Sequence, residues 1–195
     1  MKKHKPIYQS FSYHNRSSKQ VGFNLIEMLV VIIVISIIVT IATPYFQDYL
    51  HKSEAKSAHN QIHSAIRTAK VESFIRHQHV VMCLANIHNQ CNRNAQNRLI
   101  VFSDLNDNHI YDAGRDSLFL IKKLNLNYGH VYLRAAANRH YAKFFADSGL
   151  PRGHFGHIKY CPNNASNTYK YIVSFNKLGG IKYKPNSIHP SDCPT

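Results

Sequence analysis

The stretch GFNLIEMLVVIIVISIIVTIATPYF, residues 22–46, decides how this chain folds and where it lies. Its segment Leu25–Ala42 is 18 residues long and contains one ionisable side chain, that of Glu27. A helix of this length and composition can enter a bilayer and almost cross it. The chain then continues through Pro44 into a further helical pattern, without the small-residue cleavage site of an ordinary secretory signal, so we expect the segment to be retained.

The charges around this segment predict its orientation. Residues 1–22 carry five Lys or Arg side chains and no acidic one. Because cations favour the cytoplasmic side, we expect the N-terminus in the cytoplasm and the rest of the chain outside the membrane. A carboxylate near the hydrocarbon costs about 2.5 to 3.5 kcal/mol, and a retained charge there usually has a partner. The sequence therefore predicts a partner for Glu27.

Small and aliphatic residues continue the helical pattern after Pro44. They recur every three or four positions, with charged and polar residues between them, which predicts an amphipathic helix to about Phe74 whose apolar stripe lies on a sheet. A proline inside a helix that is packed against neighbours kinks the helix without ending it. The members of the stripe are Ala55, Ala58, Ile62, Ile66 and Ala69.

Short β-rich runs replace the helical period after Arg76. Each is bounded by Asn, Asp, Gly or Pro, the pattern of an antiparallel sheet system. The sequence thus predicts an α+β fold, in which a long N-terminal hydrophobic helix packs on a small antiparallel β-sheet head. The runs are HVVMCLA, LIVFSD, SLFLIKK, HVYLRA, KFFAD, GHIKYC, YKYIVSF and GIKYK.

The four cysteines are Cys83, Cys91, Cys161 and Cys193. In an exported head they would form disulfides, and three pairings can be drawn. The two nearest-neighbour pairs close the shortest loops, but the sequence does not choose among the three. Neither a CxxC motif nor a metal-binding spacing with histidine occurs, so we expect no zinc and no cofactor.

The stretch Gly22–Phe46 resembles the class III signal peptide of type IV pilins and type II secretion pseudopilins. Gly22, Phe23 and Glu27 match the pattern of that family, and Asn24 stands where threonine is usual. The resemblance implies that a prepilin peptidase removes residues 1–22 as a leader and methylates the new N-terminus at Phe23. It also implies that residues 23–50 form the transmembrane and assembly helix, in which Glu27 neutralises the new ammonium group in low dielectric.

The rest of the chain resembles the GspH/FimT family of minor pilins and pseudopilins. Residues 51–195 would then be an amphipathic helix and a β-rich periplasmic head with two small sheets. The resemblance implies a single-pass protein of the bacterial inner membrane that enters a pilus filament or its tip, with other major and minor pilins as partners. Its function would be that of a minor pilin, with a contribution to DNA uptake, or that of a type II secretion pseudopilin. The matching stretches are RTAKVESFIRHQHVVMCL, VFSDLNDN, FFADSG, GHFGHIKYC and YIVSFNKLGGIKYK.

A basic C-terminal half makes double-stranded DNA a candidate partner. The net charge is +14, and the 11 cations from Lys122 onward face only two acids. Lys177, Lys182 and Lys184 alternate with aromatic residues, a mixture suited to phosphate contact and base stacking. In the FimT branch of the family, a GRxR motif on the C-terminal hairpin contacts DNA. In this chain Gly180 and Lys182 stand where that motif has its two arginines. The alternative is an edge strand that lysines protect from pairing.

Oxygen-bearing side chains at Asp104, Asn106, Asn108 and Asp112 have the alternating spacing of a calcium loop. His109 stands where such a loop needs glycine, and no glutamate closes it. We therefore interpret the stretch as a turn built on Asn and Asp. The chain also lacks HExxH, GxSxG and P-loop motifs, so the sequence predicts a structural or binding protein and not an enzyme.

Overall fold

The computed structural model describes residues 22, 24–163, 167–190 and 192–193. Of the predicted leader and cleavage site, residues 1–21 and Phe23 lie outside the described residues. Contacts within the chain divide it into two units, Met1–Thr43 and Pro44–Thr195. The helix α1, Leu25–Arg76, contributes to both units and contains Pro44.

In the first unit, α1 exposes a predominantly apolar surface. Its large apolar side chains, from Leu25 to Ile41, are between 45% and 80% exposed. The hydroxyl groups of Ser36 and Thr40 donate to carbonyl groups of their own helix, at Ile33 (2.7 Å) and Ile37 (2.8 Å). The segment is long and apolar enough to cross a membrane, and these internal hydrogen bonds suit a helix surrounded by lipid.

In the second unit, the eight predicted runs form two four-stranded antiparallel sheets. The first sheet has the order β3-β2-β1-β5 and the second has the order β4-β6-β7-β8. This confirms the predicted long helix with an antiparallel head. The strands are β1 (Val80–Ala85), β2 (Arg98–Ser103), β3 (Leu118–Lys123), β4 (Gly129–Ala135), β5 (Tyr141–Phe144), β6 (Gly156–Pro162), β7 (Tyr171–Phe175) and β8 (Ile181–Pro185).

Strand β5 departs from its predicted run, because it starts at Tyr141 and ends at Phe144. The predicted run placed residues 145–147 in the strand. The carbonyl group of Phe145 instead accepts hydrogen bonds from the backbone N–H groups of Ser148 (3.3 Å) and Gly149 (2.8 Å), which turns the chain. Gly149 has a φ of +64°, and a Cβ atom there would lie 2.7 Å from the carbonyl oxygen of Lys70. Glycine is therefore required where this turn meets α1.

The main core lies between α1 and the two sheets. All five residues of the predicted stripe are buried, together with Ala65 and Ser73. They contact buried residues of both sheets, among them Met82, Val101, Ile158 and Phe175. The predicted stripe is thus confirmed, and burial of these apolar side chains is the main term that stabilises helix on sheet.

The first sheet is buried on both faces at its centre. Val81, Cys83, Ile100 and Phe102 form a second apolar cluster on the face turned away from α1. Because both faces are covered, β1 and β2 are continuous apolar runs and do not alternate with polar residues. Tyr111, from the loop after β2, packs against Phe102 with ring centroids 5.5 Å apart.

Polar contacts fix α1 on the second sheet. The Glu54 carboxylate accepts hydrogen bonds from the backbone N–H groups of Asn127 (2.6 Å) and Tyr128 (3.0 Å) and from the hydroxyl group of Tyr160 (2.9 Å). The hydroxyl group of Tyr171 donates to the carbonyl of Ala55 at 2.9 Å. These bonds set the position of the helix along the sheet, which apolar packing alone does not specify.

Two disulfides join the nearest-neighbour cysteines. Cys83 pairs with Cys91 and Cys161 with Cys193, at Cα–Cα distances of 5.6 Å and 6.0 Å. The second bond closes a loop over a sequence separation of 32 and ties the C-terminal segment back to β6.

Candidate functional site

The N-terminal end of α1 carries the predicted assembly residue. Glu27 lies in the first turn, where its negative charge is favourable to the helix dipole. Asn24 accepts at its side-chain Oδ1 from the N–H of Ile26 (3.4 Å) and at its carbonyl from the N–H of Glu27 (3.0 Å). Asparagine is as good a helix N-cap as threonine, so the departure at residue 24 keeps the capping role.

A second candidate site is the outer face of the second sheet. Its strands alternate, so that Val131, Leu133 and Ile158 point into the core while their neighbours point outward. The outward side chains are rich in cations. We call this surface the basic face and define it by Arg134, His157, Lys159, Lys182 and Lys184.

Strand register aligns outward-facing side chains of the basic face in a row across the sheet. Arg134 pairs with His157, His157 with Ser174, and Ser174 with Lys182. With strands about 4.8 Å apart, this row spans about 14 Å. A linear polyanion lying across the strands can contact Arg134 and Lys182, the cations at the two ends of the row, at once.

One half of the basic face forms a groove of about 530 Å³. Arg134, His157, Lys182 and Lys184 line it, and no acidic side chain is among its described lining residues. Phe155 also lines it, with 45% of its surface exposed. Burial, followed by the positive charges of Lys159, Arg134 and Lys184, lowers the pKa of His157. The groove therefore combines a positive field with an exposed aromatic ring.

The C-terminal segment occupies the other half of the basic face. The ammonium group of Lys159 donates to the backbone carbonyl of Asp192. Cys161, two residues further along the same face of β6, holds Cys193. Burial and the nearby charge of Lys170 lower the pKa of Lys159. Lys159 is thus already bonded to the C-terminal segment. The groove lies in the half of the basic face that this segment leaves open.

The structure brings together two of the three predicted DNA-contact residues. Lys182 and Lys184 line the groove, whereas the exposed Lys177 lies in the turn between β7 and β8 and does not line it. The sequence analysis missed Arg134 and His157. The signal for Arg134 was the alternation of HVYLRA. This alternation puts Arg134 on the face of β4 that points away from the buried Val131 and Leu133.

The predicted turn at residues 104–112 is held by its own polar side chains. The buried Asp104 carboxylate accepts from the backbone N–H groups of Asn108 and His109, each at 3.1 Å. Asp112 accepts from the amide groups of Asn106 (3.0 Å) and Asn108 (2.9 Å). These oxygens therefore satisfy the donors of the turn, which is the behaviour expected of Asn- and Asp-rich turns.

A different set of side chains in this loop lies close enough to share a cation. Ligand atoms of Asp104, Asp107 and His109 lie within 4.8 Å of one another. The Lys143 ammonium group pairs with Asp107 there, and His109 Nδ1 lies 2.9 Å from Asp104. The pairing with Lys143 lowers the pKa of Asp107. Lys143 thus supplies the positive partner of Asp107, and His109 is a ring contact of Asp104.

A group of histidine and aromatic rings surrounds this loop. The ring centroid of His154 lies 5.6 Å from that of Tyr141, 5.9 Å from Phe145 and 6.4 Å from His109. Burial, followed by the positive charges of Arg139, His109 and Lys143, lowers the pKa of His154 to about 4. Within the described part of the chain, its buried Nδ1 has no hydrogen-bond partner.

His154 should make the stability of the folded chain depend on pH. Its folded pKa lies below the ordinary value of 6.5, so the folded protein binds fewer protons than the unfolded one. The neutral His154 therefore gives its whole contribution to the free energy of unfolding above about pH 6.5. This contribution is lost as the pH drops towards 4. His140 and His157, whose pKa values are lowered mainly by burial, act in the same direction.

Urea unfolding of the detergent-solubilised chain at neutral pH and at about pH 4.5 measures this loss. A His154→Phe variant should lose less stability across that interval than the parent chain. Equal losses in the two proteins would show that His154 does not titrate as its surroundings predict.

Comparisons with known proteins agree with this architecture. The family model described as "Type II transport protein GspH" matches residues 58–179, more than half of the chain. A crystal structure of the type IV minor pilin FimU of Pseudomonas aeruginosa aligns with a TM-score of 0.52 and 15% identity, covering 75% of this chain and 99% of that chain. A second crystal form of FimU aligns with a TM-score of 0.46 and 15% identity, covering 71% and 99%. No curated protein matches the sequence. At this identity the likeness to FimU shows a shared fold.

Proposed function

Because this chain belongs to the GspH/FimT family of minor pilins and pseudopilins, we propose that it is a minor pilin, which enters or primes a type IV pilus through its N-terminal helix. The observation that carries the proposal is the exposed apolar surface of α1 with one acid, Glu27, in its first turn. Such a surface requires lipid before assembly and other apolar helices after it. Co-purification of the chain with a major pilin from sheared filaments tests this proposal, and its absence from such filaments would contradict it.

Processing at Gly22 prepares the helix for assembly. A prepilin peptidase cuts after Gly22 and methylates the amine of Phe23. The new cation stands four residues before Glu27 in the sequence, so that each filament subunit offers a positive end and a carboxylate. In a low-dielectric helix bundle these charges pair and fix the register between subunits.

The chain is a single-pass protein of the bacterial inner membrane with its head in the periplasm. Positive charge in residues 1–22 favours a cytoplasmic N-terminus. The two disulfides of the head suit an oxidising compartment. After assembly, the head faces outward from the filament or its tip.

The open half of the basic face contributes to DNA uptake by binding double-stranded DNA. Lys182 and Lys184 contact phosphates from one side of the groove, and Arg134 extends the positive field to β4. The exposed turn residue Lys177 adds a more distant contact. Because lysine meets phosphate as a point charge, we expect little dependence on DNA sequence.

The salt dependence of duplex binding tests this contribution. The Lys182→Ala/Lys184→Ala variant should bind more weakly at low salt, and the slope of log K against log salt should shrink by roughly 2, about 1 for each lost phosphate contact. Lys122→Ala/Lys123→Ala, on β3 of the other sheet, removes the same charge and should change little. If the parent chain gives no electrophoretic shift of duplex DNA at low salt, the DNA contribution is wrong.

The second candidate function is that of a pseudopilin in a type II secretion system. The matching family is described as type II transport protein GspH, which favours this alternative. Deletion of the gene separates the two. Loss of pili with secretion intact supports the minor pilin, and loss of secretion with pili intact supports the pseudopilin.

A further inference from the structure

A second groove, separate from the basic face, lies where the helix of the head meets the ends of β7 and β8. Its volume is about 280 Å³. We call it the helix groove. Its lining residues include Lys52, Lys56, His59, Tyr169, Tyr171 and Tyr183.

Two lysines give the helix groove its charge. Lys52 and Lys56 are four residues apart on α1, so their side chains lie on one face. Both are exposed, and neither forms an ion pair with any residue that the structure describes. Of the two acids nearest in sequence, Glu54 binds the backbone N–H groups of Asn127 and Tyr128. Asp48 accepts at 2.6 Å from the hydroxyl of Tyr169, which lines the groove, so one carboxylate lies at the rim of the groove and the two ammonium groups outnumber it.

Aromatic rings form the opposite wall of the helix groove. The His59 ring meets Tyr183 edge-on at 5.0 Å between centroids and Tyr171 at 5.7 Å. Tyr183 remains 53% exposed, and Tyr171 is buried. The groove therefore offers two ammonium groups on one side and amphipathic aromatic rings on the other, which suits a ligand with a charged group and an apolar part.

Three exposed aromatic rings precede the helix groove along the helix. Tyr45, Phe46 and Tyr49 are 75%, 61% and 64% exposed. Exposed Tyr and Phe rings directly after an apolar span are typical of the belt that lies at the level of lipid headgroups. Lys52 follows Tyr49 by three residues, about 4.5 Å along the helix. Because helical side chains point towards the N-terminus, its ammonium group reaches back to that level.

We propose that the helix groove binds the phosphate of an anionic phospholipid headgroup while the subunit waits in the membrane. This rests on the proposed membrane-anchored pilin. Lys52 and Lys56 hold the phosphate, and the ring of Tyr183, which packs on His59 about one helical turn beyond Lys56, lies against the polar end of the headgroup. A lipid headgroup is favoured over free phosphate because the groove lies beside the aromatic belt and one wall is aromatic. Entry into a filament would then require release of this lipid.

Lipid retention by the full-length chain tests the proposal. The protein is reconstituted in vesicles of equal parts phosphatidylglycerol and phosphatidylcholine and extracted in mild detergent, and the lipids retained are counted by native mass spectrometry. The parent chain should retain phosphatidylglycerol with a preference of roughly tenfold or more. Lys52→Ala/Lys56→Ala should reduce that preference to near parity, whereas Lys122→Ala/Lys123→Ala, an equal loss of charge, should keep it.

The other outcomes overturn the proposal. Equal retention of the two lipids by the parent chain, or an unchanged preference in the Lys52→Ala/Lys56→Ala variant, contradicts a headgroup site at these lysines. Loss of the preference in the control pair shows a general charge effect instead. Displacement of the lipid by millimolar inorganic phosphate would assign the groove to free phosphate. If the chain is not anchored in the membrane, alkaline carbonate will extract it from the vesicles. That result would contradict the proposed membrane-anchored pilin, and it is distinct from the loss of lipid preference that tests the groove.

Discussion

Replacing Glu27 with alanine is expected to leave the protein in the membrane and to abolish its incorporation into filaments. The substitution removes the one ionisable group of an otherwise apolar segment, so insertion becomes easier, by about 2.5 to 3.5 kcal/mol. In the filament, however, the ammonium group at Phe23 would lose its counter-charge in a low-dielectric bundle. Breaking such a buried pair costs about 3 to 5 kcal/mol, which corresponds to a loss of incorporation of roughly a hundredfold or more.

Immunoblots of sheared filaments and of membrane fractions measure the two effects separately. Ser36→Ala is the matched control, because it removes a polar group from the same segment whose hydroxyl is already satisfied by the carbonyl of Ile33. That variant should assemble like the parent chain. Filaments that contain the Glu27→Ala subunit at the parent level would refute the role assigned to Glu27.

Replacing Glu54 with alanine should produce the largest loss of stability among single polar substitutions on the helix of the head. Three donors lose their acceptor: the backbone N–H groups of Asn127 and Tyr128 and the Tyr160 hydroxyl. Hydrogen bonds to a charged acceptor contribute about 1.5 to 3 kcal/mol each, and losses within one cluster are not additive. Because Glu54 is only partly buried, we expect a loss of about 2 to 3 kcal/mol.

Urea unfolding of the detergent-solubilised chain measures this change through its midpoint. Glu72→Ala is the matched control on the same helix, because the exposed Arg76 one turn away is the ion-pair partner of Glu72 among the residues that the structure describes. Such a pair contributes about 0.3 to 0.5 kcal/mol. Glu54→Gln, which keeps an acceptor oxygen without the charge, should fall between the two. Equal midpoints for Glu54→Ala and Glu72→Ala would show that the Glu54 contacts do not hold the helix on the sheet.

Local patterns predicted most of the fold. The recurrence of Ala58, Ile62 and Ile66 at helical spacing predicted the buried stripe, since the period of a helix depends only on nearby residues. The eight runs bounded by Asn, Asp, Gly or Pro predicted the strands, because turn chemistry is also local. The end of β5 was missed because Phe145 is as apolar as a strand residue, and only the turn bonds to its carbonyl show the break.

Long-range pairing could not be predicted. The family resemblance implied two sheets, but the strand order within each sheet and the pairing of Cys161 with Cys193 depend on strand register across the whole head. The basic face has the same origin, since Arg134 and Lys184 lie 50 positions apart in sequence and meet in one groove through β6 and β7. The role of Glu54 was hidden for the same reason, because its partners follow it by more than 70 residues.

A single acid among aliphatic side chains, close behind a glycine, underlies this account of a processed and assembled subunit. Intact-mass and N-terminal peptide mass spectrometry of the protein from its native membrane tests it most directly. We expect the mature chain to begin at a methylated Phe23 and to lack residues 1–22. A mature chain that retains Met1, or that begins at any other residue, would contradict the account.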